Sequence, residues 1–234
     1  MKNLFLTISA AITLISCNSG LEGEGAATSK KEFAMDQFTS IEANCNCDIT
    51  IIPSADSKVI VESHQNLIDN LELNSKNGNL TINEKSNVGK YDLYNINIYS
   101  PAALNEIELN NQSRLKISGT LKADKLKLDA NDQSIIDQAY VDIKEFELNL
   151  SDQTNASITG TAINLDLEIS DESIGNLSQL QSVEIDFSAK NEANLSLWVM
   201  KDLSGEASDN AQVTYKGDPN KDTQTKGRAM INQK

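Results

Sequence analysis

Between Ile107 and Tyr215 the chain repeats itself at a nearly fixed interval. A new line at each L-x-L-like pair gives IELNNQSRLKI from Ile107, LKLDANDQSII from Leu126 and FELNLSDQTNASI from Phe146. LDLEISDESIGNL from Leu165, VEIDFSAKNEANL from Val183 and LSGEASDNAQVTY from Leu203 complete the series, in steps of 19, 20, 19, 18 and 20 residues. Such a period constrains every unit to one conformation, because each must stack on its neighbours to bury an apolar face. Within a unit, apolar and polar residues alternate, pass a polar turn and alternate again. Period two marks strand; a helix would need apolar residues at i, i+3 and i+4. A circuit of three short strands and three turns uses about 18–20 residues, so the period predicts an all-β parallel β-helix, a β-solenoid. An up-and-down sandwich also spaces its strands evenly. It gives no reason for the same turn chemistry to return at the same phase.

Stacked coils lie about 4.8 Å apart, so six make a rod on the order of 30 Å long. Leu128, Leu148, Leu167 and Ile185 are expected to form one inward ladder, each contributing roughly 1.5–3 kcal/mol on burial. Replacing Leu148 with Asp should therefore cost more than the same change at Glu147, which points outward.

The turns align as Asn131-Asp132-Gln133-Ser134, Ser151-Asp152-Gln153-Thr154, Ser170-Asp171-Glu172-Ser173 and Ser208-Asp209-Asn210-Ala211, with Ser188-Ala189-Lys190-Asn191 as the odd member. Asp and Asn tolerate positive φ and bond to nearby backbone groups, which is a sufficient structural reason for their presence. Stacked carboxylates about 5 Å apart would cost about 1 kcal/mol per pair even in water. A divalent cation such as Ca2+ on Asp132, Asp152, Asp171 and Asp209 would relieve that repulsion and stands as a second reading. The Gly-x-Asp nonapeptide of calcium β-rolls is absent, so no metal site is firmly expected.

Twenty basic residues against 34 acidic ones give a net charge of −14, which repels nucleic acid and otherwise favours solubility. Five Phe, five Tyr and one Trp leave the core aliphatic, with Trp198 in NLSLWVM expected inside it. The lone histidine, His64, argues against histidine catalysis and against a multi-histidine metal site.

Residues 1–17, MKNLFLTISAAITLISC, carry a positive start and an apolar run too short to span a bilayer, as a secretory signal does. The ending Leu14-Ile15-Ser16-Cys17 resembles the bacterial lipobox, which implies acylation of Cys17 and anchoring in a membrane. Residues 18–35 are rich in Gly, Ser and Glu and are expected to be a flexible tether. Cys45 and Cys47, read as two residues apart on one strand, point to the same face as small buried residues. A disulfide between them would need their Cα atoms closer than the ~7 Å of an extended pair, and an exported protein leaves that reading open.

Residues 36–104 are β-rich but less regular, with antiparallel pairing and opening coils expected to cap the solenoid. Asn77-Gly78 marks a hairpin and residues 66–71 a short helical turn. The repeats occupy residues 105–219. Residues 220–234 form a polar tail expected to be loosely ordered, with RAMINQ as a candidate last strand.

The order FTSIEANCNCDITIIP, VIVESHQNLIDNLELNSKNGNLTI, INIYSPAALNEIELNNQSRLKISG and the closing VTYKGDP resembles the putative auto-transporter adhesin (head GIN domain) family over about residues 38–219. The resemblance implies a right-handed parallel β-helix in secreted or lipid-anchored proteins of Gram-negative bacteria, with no catalytic residues to carry over. The chain departs from the pattern in using Asn/Ser-Asp turns, such as Asn131-Asp132 and Ser151-Asp152, where members often use Gly. The expectation is a non-enzymatic lipoprotein of the outer membrane, on its periplasmic side or at the cell surface. It would present the solenoid to an envelope or extracellular glycan or protein. The alternative is a polysaccharide-acting lyase or hydrolase, which would need paired carboxylates or a base with calcium.

Overall fold

The computed structural model describes residues 20–100 and 104–234. The signal segment and Cys17 lie outside the described residues. The first part contains β1 (Ser29–Ala34), β2 (Ser40–Asn44), β3 (Asp48–Pro53), β4 (Lys58–Ser63), α1 (Gln65–Asn70), β5 (Leu71–Lys76), β6 (Asn79–Glu84) and β7 (Tyr94–Ser100). The repeats form β8 (Glu106–Asn110), β9 (Arg114–Ile117), β10 (Thr120–Ala130), β11 (Ile135–Leu150), β12 (Asn155–Ile169), β13 (Ile174–Ala189) and β14 (Asn194–Ala207). The chain ends in β15 (Gln212–Lys216), β16 (Asn220–Thr225) and β17 (Met230–Gln233).

The repeats are a β-solenoid. From β10 to β14 each strand pairs in parallel with the next, so that Leu126, Phe146, Leu165, Ile185 and Leu203 form one column. Leu128, Leu148, Leu167, Phe187 and Gly205 form the adjacent column. The rung of Leu167 is thus Phe187, not Ile185, and the equivalent of Leu126 in that coil is Ile185 rather than Val183. Ile107 likewise pairs with Leu128, two positions beyond the anchor chosen from the sequence. Strict alternation hid the phase, since a shift of two residues leaves the same face inward.

Period two decides what is buried. Leu126, Leu128, Leu148, Leu165, Leu167 and Ile185 are at most 2% exposed, while Glu147 between them is partly exposed and meets Lys127 at 3.4 Å. Next to the large Phe187 the following rung is the smallest residue, Gly205. A Cβ on Gly205 (φ +137°) would stand 2.0 Å from the Phe187 carbonyl oxygen and 2.8 Å from its ring. Trp198 is not in the core: Leu195, Leu197 and Val199 take the inward phase, and Lys216 Nζ sits 3.9 Å above the outward indole.

The first part joins the same stack out of chain order. β2 lies between β6 and β8, and β3 between β7 and β9, all in parallel. Around this end the pairing turns antiparallel, β1 with β4, β4 with β7 and β5 with β6. Asn77 (φ 54°) and Gly78 (φ 80°) make the expected tight hairpin between β5 and β6. Leu67 and Ile68 of α1 are buried in the same continuous core as the repeats, so the helix helps close the apolar end.

Two segments expected to be loose are ordered. From Gly20 onward the supposed tether lies along the body: the Leu21 N–H donates to the Asn87 carbonyl (2.7 Å), and β1 pairs along its whole length. His64, 2% exposed, anchors this segment. Its Nε2 accepts the Asp92 N–H (3.3 Å) and its Nδ1 therefore donates to the Gly25 carbonyl (3.1 Å). Gly23 is packed so closely that an added Cβ would stand 2.3 Å from the imidazole. The polar tail is the last coil, with β16 on β14 and β17 on β15. Its exposed Lys221, Lys226 and Arg228 place charge at an edge that would otherwise invite further strands.

Leu148→Ala should cost about 2–5 kcal/mol, and Glu147→Ala should stay within about 0.5 kcal/mol. Urea denaturation of both variants checks the inward phase: equal midpoints would contradict it.

Candidate binding groove

Turns at residues 110–113, 131–134, 151–154, 170–173, 190–193, 208–211 and 226–229 stack along one edge. Each is closed by an N–H of its fourth residue to the carbonyl of its first, at 3.0–3.4 Å. The odd member is therefore Lys190-Asn191-Glu192-Ala193, two residues later than the sequence alignment placed it. Asn111/Gln112, Asp132/Gln133, Asp152/Gln153 and Asp171/Glu172 all have positive φ at both central positions, the type I′ pattern. At Asn191, Asp209 and Gly227 only the first central residue has positive φ, the type II′ pattern.

The four turn positions form four different columns. The first is a ladder of amides: Asn131 Nδ2 donates to Asn110 Oδ1 (3.1 Å), Asn110 Nδ2 to Asn44 Oδ1 (2.9 Å) and Asn44 Nδ2 to Asn83 Oδ1 (2.9 Å). Ser151 Oγ continues it, 2.7 Å from Asn131 Oδ1. The fourth column points inward. Ser113, Ser134, Thr154 and Ser173 are 0% exposed, with Ser113 Oγ donating to backbone carbonyls at 2.7–2.8 Å and Thr154 Oγ1 to Ser151 (2.7 Å). Their burial goes beyond the turn role that their place in the sequence implies. Their return as Ser or Thr at one phase was the available signal.

The second column holds the predicted aspartates. Asp132, Asp152 and Asp171 occupy successive coils, and Asn191 separates them from Asp209. Ser170 and Ser208 donate to the carboxylates that follow them (2.7 and 3.1 Å), and Asn191 Nδ2 donates to Asp171 Oδ1. Among the described residues no group of three or more His, Cys, Asp or Glu side chains is placed to hold a metal ion.

The Cys45-Asn46-Cys47 segment is the turn that joins β2 to β3, not part of a strand. Its compact bend brings the Cα atoms to 5.4 Å, and the two cysteines form a disulfide. Both are buried, and Ser113 of the neighbouring turn donates to the Cys45 carbonyl.

Along this edge runs an open groove of about 740 Å³, from Asn46 and the 87–88 loop past Gln112, Asp132, Gln133, Asp152 and Gln153 to Glu172, Asn191 and Glu192. Among the described residues Val88 is its one apolar lining side chain. Glu84 closes the end nearest the disulfide, its Oε2 accepting the Val88 N–H (3.1 Å). Its Oε1 is buried beside the Tyr94 hydroxyl without a well-formed hydrogen bond. Burial pushes the Glu84 carboxyl up, against the pull of the Val88 and Asn46 backbone. Burial and the neighbouring Glu84 push the Tyr94 phenol up as well. Elsewhere, on the outward face of β11–β13, Glu147, Asp166 and Asp186 share a column. Partial burial, then Asp186, raises the Asp166 carboxyl.

The chain belongs to the family described as "Putative auto-transporter adhesin, head GIN domain", whose model matches residues 37–219. Solved structures share the fold at low identity. A putative adhesin from Bacteroides fragilis superposes with a TM-score of 0.82 at 16% identity, over 88% of this chain and 96% of that one. One from Parabacteroides merdae gives 0.75 at 17%, over 92% and 98%. A putative lipid binding protein from Parabacteroides distasonis gives 0.73 at 15%, over 92% and 99%. No curated protein matches in sequence. The protein is thus an adhesin-like β-solenoid of a family associated with the cell envelope. Among the described residues no helix is long and apolar enough to cross a membrane.

Two outcomes are expected. A double-mutant cycle between Asn110→Ala and Asn131→Ala should show a coupling of about 0.5–1 kcal/mol, as contacting ladder members do. Glu84→Gln should raise the melting temperature at neutral pH. The folded carboxyl holds its proton to higher pH than the ordinary value of 4.5. Its stabilising contribution is therefore present in full below that value and lost as pH rises through the folded-state value. The melting gap between variant and parent should open above about pH 4.5 and close below it; a gap that does not vary with pH would refute this.

Proposed function

We propose that the protein is a non-catalytic binding module of the cell envelope. It would be anchored through an acylated Cys17 in the outer membrane of a Gram-negative bacterium and present its groove to an envelope or extracellular glycan or protein. The observation that carries this reading is the open polar groove, which spans successive coils and offers a row of amide and carboxylate groups at one register. An extended polymer can follow such a row coil by coil. The ordered start of the chain supports a close attachment. Leu21 is already hydrogen-bonded to Asn87, so the four residues from Cys17 to Leu21 can span at most about 14 Å. The disulfide-bearing end of the solenoid would stand against the membrane, with the groove running away from it.

Metabolic labelling with a fatty-acid analogue should mark the wild-type chain and not Cys17→Ser, and the variant should leave the membrane fraction. Immobilised protein should retain material from envelope extracts through the groove. Equal fatty-acid labelling of both chains would end the anchoring part, and retention unaffected by groove substitutions would end the binding part.

A further inference from the structure

The hydrogen-bond polarity of the turn ladder reverses at one place. In the type I′ coils the second central amide donates forward: Gln112 to the Asp132 carbonyl (3.0 Å), Gln133 to Asp152 (2.9 Å) and Gln153 to Asp171 (3.0 Å). In the type II′ coils it donates backward: Asn210 to the Asn191 carbonyl (2.9 Å) and Arg228 to Asp209 (2.7 Å). In a trans peptide the C=O and N–H point in opposite directions. The Asp171 carbonyl faces the preceding coil, so the Glu172 N–H faces the following one. The Asn191 carbonyl faces the following coil, so the Glu192 N–H faces the preceding one. These two donors point into the same inter-coil gap, and neither has a partner among the described residues. The gap opens on the groove that Glu172 and Glu192 line.

Its electrostatics select the ligand. Two N–H donors offer nothing to a cation. Asp152, Asp171, Glu172 and Glu192 around them repel an anion, and a net charge of −14 adds to that. What remains is an uncharged acceptor oxygen, and the flanking amides and carboxylates suit hydroxyl groups on either side of it. Among the described residues Val88 alone lines the groove with apolar surface, which is too little to hold a peptide side chain. We infer that the gap between the Asp171–Glu172 and Asn191–Glu192 peptides is a binding subsite for an oxygen of a neutral carbohydrate. This rests on the reading of the protein as a binding module and names its ligand class.

The isotope-labelled chain, followed by NMR, tests it. Without ligand, the amides of Glu172 and Glu192 should exchange with solvent about tenfold or more faster than those of Gln153 and Asn210. Chitotetraose or cellotetraose, both neutral, should slow exchange at Glu172 and Glu192 and shift both resonances, whereas inorganic phosphate should not. Glu192→Gly creates an Asn-Gly pair that favours type I′, which turns the Asn191 carbonyl toward Glu172. In that variant the Glu172 amide should become protected and its response to sugar should disappear. A response to phosphate alone, no response to either sugar, or a sugar response at Glu172 that persists once its amide is protected would overturn the subsite. Sugar shifts confined to another face would overturn it too while leaving the binding-module reading intact. That reading is judged separately by retention from envelope extracts.

Discussion

Parallel hydrogen bonding between coils from β10 to β14, which keeps the residues flanking each turn in register despite local shifts within the strands, is the constraint on which everything else rests. A backbone that must meet the same partner at each level cannot vary its path, so each turn has to leave and re-enter the stack at the same point. That requirement explains positive φ at Asp132, Asp152, Asp171, Asn191 and Asp209, where Asp and Asn are less strained than other residues with a Cβ. It also explains Gly160 (φ +118°), whose Cβ would stand 1.9 Å from the Val141 carbonyl of the preceding coil. The spacing of coils leaves no room for a side chain at that bend.

Register turns single side chains into columns, and columns share their polar demands. The buried Ser113 and Thr154 hydroxyls bond to the first carbonyl of their own turns, while the Asn83–Asn44–Asn110–Asn131 ladder satisfies amides that only partly face water. The N-terminal part uses the same scheme with other chemistry. A disulfide at Cys45–Cys47 takes the place of a four-residue turn, and the chain crosses over itself so that β2 and β3 sit inside the stack. The result is one continuous core rather than a cap docked on a separate solenoid.

The period and the alternation were legible in the sequence because they are local and repeated: strands, inward leucines and the turn column could all be read. Phase was harder. A two-residue offset preserves the inward face, so Val183 and Ile185 were interchangeable until the pairing was known, and Trp198 looked internal although Leu197 and Val199 hold that role. The order of residues 20–35 could not be read from composition. Their Gly and Glu do not announce a strand, and what fixes them is distant: β4, the 87–90 loop and the ring of His64. The crossing of β2 and β3 into the stack depends on long-range pairing with no local signature.

The candidate subsite shows why the odd repeat matters more than the regular ones. Where Gln follows Asp, the turn ladder passes its hydrogen bonds onward and leaves nothing to share. The coil of Lys190-Asn191-Glu192-Ala193, conspicuous in the sequence for breaking the Asp series, is where the central peptide turns over. A regular ladder satisfies its own interior donors. A single reversal in such a ladder must leave either two carbonyls or two N–H groups face to face. The order here, type I′ before type II′ along the chain, leaves the N–H groups. Surrounded by carboxylates, those donors sit in a field that rejects anions, so the acidity of the groove also sets what the gap can accept.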